Sequence, residues 1–346
     1  MTSPEQQAAV KAAMHGVLLR QAGLAPDELV AEARGWLAED RLGEVARAMA
    51  SAAARYGLPL TEADLSVLAA VLQAEGAPLD ALEGIDPAVD DPPLAWQFSV
   101  DRPDAPVAED DPALAAVIDI VNGEPTAHGL WRAWRMPADG APYPPPRPVY
   151  VVEADDGDLP ALTARLQQAL TAAGEAAPQV EVTSVNGYVP LYQRAARAYG
   201  ALRWAATEAP DIKVARVFDA VDPASGPSFA PDHPRMTSEA ERDQVLDYLR
   251  AGTALMITTA TLDDVVDPAR KGVVPMSFRT DGTWIWPDTV TYYLEHHHLE
   301  PDPELLAHIR DSGPRPPELD AVALHRAMEV LRRPPESEPV WNTRNG

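Results

Sequence analysis

The sequence predicts a mixed α/β or α+β protein: an N-terminal helical bundle, a central β-α-β sheet domain and a C-terminal region of hairpin and helices. Three observations predict this. Apolar residues recur at helical spacing through residues 4–83. Two buried-type runs, "PVYVVEA" and "PQVEVTS", flank the amphipathic "LPALTARLQQALTAAG", the pattern of two parallel strands and their crossover helix. Towards the C-terminus, Asp281-Gly282 stands between two strand-like runs, and this dipeptide tolerates the positive φ that a tight hairpin needs.

The elements follow in order. Val10, Met14, Val17 and Leu18 form one helical stripe, and Leu29, Val30, Ala33, Trp36 and Leu37 another. Helix starts are expected at Pro26-Asp27 and at Thr61, where Asp64 completes a capping box. Gly23, Gly57 and Gly76 sit where C-terminal caps belong. Residues 1–83 thus read as a helical domain. Residues 84–112 carry seven aspartates, one glutamate and six prolines against one arginine. Proline removes backbone donors and biases its predecessor to extended geometry, so this stretch reads as an acidic linker, with "LAWQFSV" a short strand or anchoring segment inside it.

Residues 113–235 read as an α/β domain. Strands are expected at 129–137, 148–154 and 178–184, helices at 159–174 and 190–207, and a further strand, "IKVARVFDA", at 212–220. "GAPYPPPRP" is a stiff, polyproline-like spacer. Residues 236–333 begin with a helix at 238–252 capped by Ser238. A strand "TALMITTAT", an acidic turn at Asp263, Asp264 and Asp267, the hairpin and two closing helices follow. Residues 334–346 read as an irregular tail.

Composition narrows the function classes. The formal charge is −25, with 53 acidic against 28 basic residues. Such a field repels nucleic acid and anionic membranes and steers basic partners inward, although acidity for solubility alone gives the same count. There is no cysteine, which removes disulfides, thiolate nucleophiles and Cys-ligated zinc or iron–sulfur clusters. No apolar run reaches membrane-spanning length, and the N-terminus lacks a signal-peptide pattern. A cytoplasmic protein with no cofactor is expected, its homo-oligomerisation left open.

The chemistry-bearing stretch is "SFRTDGTWIWPDTVTYYLEHHHLEPD", Ser277 to Asp302. With a two-residue loop at Asp281-Gly282, Arg279 faces Trp284, Phe278 faces Ile285 and Ser277 faces Trp286. Alternation then puts Val274, Met276, Phe278 and Ile285 on an apolar core face and Arg279, Trp284 and Trp286 on the other. There Arg279 is expected to lie over Trp284. That face either anchors a partner or lies beneath a neighbouring helix. Asp288 is expected to cap the following helix, on which Tyr292 and His296 share a stripe. His296, His297 and His298 point about 100° apart on a helix and cannot ligate one ion together; a metal site would need His297, His308 and a carboxylate such as Glu304. No G-x-S-x-G, G-x-G-x-x-G or P-loop pattern occurs. Asp155, Asp156 and Asp158 after the "VVEA" strand would repel phosphate. They could hold a divalent metal, but the lysine and threonine such a site wants are scarce in a chain with three lysines.

The segment carrying Phe278, Arg279, Thr280, Asp281, Gly282, Trp284, Trp286, Pro287, Tyr292, Tyr293, Leu294, Pro301, Leu305, His308 and Ile309 resembles a C-terminal motif of uncharacterised actinobacterial proteins. Some of these are associated with secreted polymorphic toxins as immunity or accessory partners. The resemblance implies a binding role and brings no catalytic residues with it. The expected function is therefore a non-enzymatic factor that captures a basic protein partner through an acidic surface and an anchor of Arg279, Trp284, Trp286, Tyr292 and His296. The alternatives are an enzyme using a carboxylate cluster with a divalent metal, and a scaffold subunit of a larger assembly.

Overall fold

The computed structural model describes residues 3–89, 92–103 and 111–333, and it is a mixed α/β protein with eleven α-helices among the described residues. The chain divides into two compact units, Met1–Thr207 and Glu208–Gly346. The expected boundaries at 83, 112 and 235 are not where it divides, for reasons visible in each unit. The expected irregular tail, 334–346, lies outside the described residues.

The first unit opens with α1 (Pro4–Gln21), α2 (Asp27–Ala38), α3 (Leu42–Tyr56) and α4 (Glu62–Ala74). Ser3 and Gln6 form a capping box at α1, and Thr61 and Asp64 form the expected one at α4. Gly57 ends α3 at φ 65°, a left-handed cap that glycine adopts without strain. Met14, Val17, Leu18, Val30, Leu37, Val45, Met49 and Leu68 fill the bundle's own core.

Next come β1 (Trp96–Ser99), α5 (Pro112–Asn122), β2 (Ala127–Pro137), β3 (Arg147–Ala154), α6 (Leu159–Ala172), β4 (Gln179–Ser184), α7 (Leu191–Tyr199) and β5 (Ala201–Ala205). The strand order is β1-β2-β3-β4, with β5 also on β2. Only β3 and β4 run parallel, as the β-α-β pattern predicts. The "LAWQFSV" segment is strand β1, so the acidic stretch is not simply a linker; its residues 90–91 and 104–110 lie outside the described residues. The single helix expected at 190–207 is instead α7 followed by β5. At Gly200 a Cβ would come within 2.8 Å of a β2 backbone oxygen, so the bare backbone lets the chain turn straight onto that strand. The bundle docks on β4, so residues 1–83 are no separate domain. Arg34 pairs with Glu181 at 2.6 Å, and His15 Nε2 donates to the Val182 carbonyl at 2.8 Å.

The second unit holds β6 (Lys213–Val214), β7 (Ala220–Asp222), β8 (Gly226–Ser228), α8 (Glu239–Ala251), β9 (Thr253–Met256), β10 (Thr261–Leu262), β11 (Val274–Pro275), β12 (Phe278–Thr280), β13 (Trp284–Pro287), α9 (Asp288–His297), α10 (Pro303–Asp311) and α11 (Ala321–Arg332). Its main sheet has the order β6-β13-β12-β9. The strand expected at 212–220 is broken: Ala220 begins β7, and Lys213–Val214 pairs in parallel with β13 rather than extending the first unit's sheet. That pairing is why the chain divides near 207 and not near 235. No helix among the described residues is long and apolar enough to cross a membrane.

The hairpin register differs from the expected one. Thr280 pairs with Ile285, Arg279 with Trp286 and Phe278 with Pro287, so four residues, Asp281 to Trp284, form the loop. Of its two central residues only Gly282 has positive φ, at 91°, because Asp281 turns the chain with its side chain: Oδ1 accepts from the N–H groups of Thr283 and Trp284 at 2.9 and 2.7 Å. The shift is by two residues, and strand side chains alternate with period two, so the assignment of the β12 and β13 residues survives. Val274, expected beside Phe278, packs instead with Phe218, Tyr292 and Tyr293. Phe278 and Ile285 pack together on one side, and Trp284 and Trp286 belong to the core on the other.

Candidate functional site

The second unit gathers the residues expected to anchor a partner, but not as a surface. Trp286 is fully buried, Trp284 is 7% exposed and Tyr292 is buried. The Trp286 indole donates to the Leu249 carbonyl at the end of α8, and it lies so close that a Cβ at Gly252 would be 2.3 Å from its ring. Arg279 does not stack on Trp284. Its guanidinium pairs with Asp288 at 2.7 Å and donates to the carbonyls of Arg250 and Gly252 at 3.0 Å. Lys213 takes the place over Trp284, at 5.4 Å. Asp288 is thereby engaged by Arg279, and α9 starts without a side-chain cap. Of the five expected anchor residues only His296 is exposed, its ring 4.5 Å from that of Tyr292.

Four carboxylate–imidazole pairs lie in this unit among the described residues, one of them within α11 (His325–Glu329, 3.4 Å). Asp281 Oδ2 accepts from His308 Nε2 at 2.7 Å and from the Tyr248 hydroxyl at 2.8 Å. Asp264 Oδ2 accepts from His297 Nε2 at 2.6 Å and from Tyr292 at 2.9 Å, while its Oδ1 accepts from the backbone of Val266 and Asp267. Asp219 pairs with His233 at 2.8 Å. Burial works to raise the Asp281 and Asp264 carboxyls, but the bonds each accepts outweigh it and hold both below the ordinary carboxylate range. The Asp264 and Asp281 pairs each tie a loop to a helix, α9 and α10 respectively. His297 and His308 are committed to different carboxylates, and Glu304 pairs with Lys213, so the metal set weighed from the sequence is not assembled. Among the described residues no group of three His, Cys, Asp or Glu is placed to hold a metal ion.

The first unit places a different site where its topology predicts one. α5 and α6 cover the sheet face carrying Leu130, Tyr150, Val152, Val180 and Val182, whereas α7 packs on β1, β2 and β3 with Arg197 over Trp131 on the opposite face. The chain therefore leaves the adjacent parallel strands β3 and β4 towards opposite faces. Such a divergence opens a crevice beyond the carboxyl ends of the strands, the place where open α/β sheets bind ligands.

At this end of the sheet Asp155 and Asp156 after β3 meet Ser184 and Asn186 after β4 and His128 at the start of β2. Asp155 meets His128 Nε2 at 2.8 Å. Asp156 accepts from the Ser184 hydroxyl and from Asn186 Nδ2 at 3.0 Å, and these two bonds, Ser184 foremost, hold its carboxyl below the usual range. Asp158 is spent on capping α6 and on Lys11. Tyr188 is 54% exposed. Carboxylates at this end of the sheet can receive a guanidinium or ammonium group by charge-assisted hydrogen bonding.

Sequence reasoning flagged the three aspartates but weighed them only for metal, and it passed over Asn186 and Tyr188. The available signal was "VNGYVP", the turn after the second strand of the β-α-β unit. Comparison of the chain with protein-family models, curated proteins and solved structures finds no match.

Proposed function

We propose that this chain is a non-enzymatic binding protein that captures a basic protein segment, in the manner of the immunity or accessory partners its C-terminal motif resembles. The observation that carries the reading is the carboxyl end of β3 and β4, where Asp155 and Asp156 gather with His128, Ser184 and Asn186, with the exposed Tyr188 four residues after Ser184 in sequence. The chain's −25 charge supports it by drawing a cationic partner inward. In the second unit, the Asp–His pairs that resemble catalytic dyads are saturated by structural bonds to tyrosine and backbone, which favours binding over turnover. The recognition element moves accordingly from the buried tryptophans to the crevice, and the second unit is the scaffold.

Fluorescence anisotropy with a labelled arginine- and lysine-rich peptide tests this. The full chain binds it, an acidic peptide of equal length does not bind, and Asp155→Asn/Asp156→Asn weakens binding by about tenfold or more. Tyr188→Ala weakens it by a smaller factor. Equal affinity of the double variant and the parent, at matched ionic strength, would remove the crevice from the account.

A further inference from the structure

We propose that the cavity at the amino ends of β3 and β4 binds a small zwitterion, an aliphatic α-amino acid, with its ammonium at Glu175 and its carboxylate at Arg147 and Tyr150. The site lies at the end of the parallel pair opposite Asp155 and Asp156, and it is independent of them. Val149 of β3 pairs with Gln179, the first residue of β4, so Arg147 and Pro148 run on past β4. The loop from Glu175 to Pro178 flanks the gap that this leaves. The cavity there measures about 210 Å³, lined by Arg147, Pro148, Tyr150, Glu175, Pro178 and Gln179 among others. Sites for drug-sized ligands run to about 300–1,000 Å³, whereas a cavity of about 150 Å³ already holds benzene. An amino acid falls between the two.

The polar groups around this cavity are uncommitted. Among the described residues, neither the Glu175 carboxylate nor the Tyr150 hydroxyl has a hydrogen-bond or ion-pair partner. Gln179 is 2% exposed; its Nε2 donates to the Ala177 carbonyl at 2.8 Å, and its Oε1 is buried with no partner. Arg147 reaches Asp27 and Glu28 only at 3.4 Å each, and Asp27 is already held by Arg135 at 2.9 and 2.5 Å. Ala177 keeps a left-handed backbone, φ 51°, which a non-glycine residue adopts only where its surroundings impose it. Buried polar groups of this kind call for a partner that completes their hydrogen bonds.

Charge selects the partner. Burial, with Asp111 adding to it, raises the Glu175 carboxyl, while Arg147 and Arg102 pull it down. Arg147 and Glu175 thus act on each other, yet no ion pair joins them. The other charges are taken: Asp111 pairs with Arg132 and caps α5, and Arg102 lies over Trp134. A simple anion here would meet Glu175, and a simple cation would meet Arg147. A ligand with both signs on neighbouring atoms satisfies the two at once. Burial, then Asp111 and Glu175, pushes the Tyr150 hydroxyl up, so it stays protonated and donates to the carboxylate. Pro148, Ala176, Ala177 and Pro178 carry no side-chain polar atom, which suits a short aliphatic side chain.

Isothermal titration of the full chain with L-valine tests this, with N-acetyl-L-valine and L-valine amide as ligands that each lack one charge. L-Valine is expected to bind at one site, and each analogue at least about tenfold more weakly. These comparisons use the parent chain and need no variant. Glu175→Gln should weaken L-valine binding by about tenfold and bring it level with N-acetyl-L-valine, and Tyr150→Phe should weaken it by a smaller factor. Asp155→Asn/Asp156→Asn should leave it unchanged; a loss there would move the ligand to the other end of the sheet and overturn the site. No saturable binding of L-valine up to about 10 mM also overturns the proposal. So does equal affinity for either analogue, or full affinity in Glu175→Gln.

Discussion

Three consecutive histidines do three different things. His296 stays at the surface beside Tyr292, His297 donates to Asp264, and His298 takes the left-handed conformation that ends α9. Asp281 shows how much one side chain can organise: its two oxygens accept from two backbone N–H groups and three side chains across the turn, α8 and α10. Replacing it by asparagine puts an amide where only acceptors fit. Asp281→Asn should cost about 2–4 kcal/mol, read by urea unfolding with amide exchange in β12 and β13 as the local reporter. The sign of the pH dependence follows from the same bonds. Asp281 and Asp264 have folded pKa values below the ordinary 3.8, so their contribution is present above that value and lost as pH falls through the lowered ones. Acid titration of β12 and β13 amide protection should show a loss at the acid end that Asp281→Asn diminishes; an unchanged profile in the variant would contradict this.

Among the secondary-structure elements, local chemistry predicted more than position did. The capping box at Thr61, the left-handed Gly57, the β3–α6–β4 unit and the α8 start at Ser238 were all legible, because each is decided by neighbours in the chain. The hairpin's register was not, since Asp281 satisfies the turn with its carboxylate and lengthens the loop to four residues; the even shift left the faces readable. Gly200 and Gly252 were missed for a related reason. Both are close-approach glycines, one against β2 and one against the Trp286 ring, and closeness to a distant element leaves no local mark. Gly252→Ala should lower stability by about 1–3 kcal/mol through overpacking against Trp286, measured by thermal or urea unfolding. A neutral result would mean that the indole can shift.

Over the whole molecule, charge and topology act together. A −25 chain with a carboxylate crevice should bind a cationic peptide with strong salt dependence: affinity should fall steeply between about 50 and 200 mM salt as screening shortens the field's reach. Affinity that does not depend on salt would assign the binding to apolar contact instead.

By itself, the sequence determined the fold class, the helical N-terminus, the parallel β3–β4 pair, the two faces of the hairpin and the acidity, because periodicity, caps and charge are properties of short segments. Only the tertiary structure decided that the bundle and sheet form one unit, that Lys213–Val214 joins the hairpin, and that the tryptophans are core while Asp156 after β3 meets Ser184 and Asn186 after β4. Those outcomes depend on which surfaces find each other across long separations, and burial energy belongs to the pairing of surfaces rather than to either segment alone.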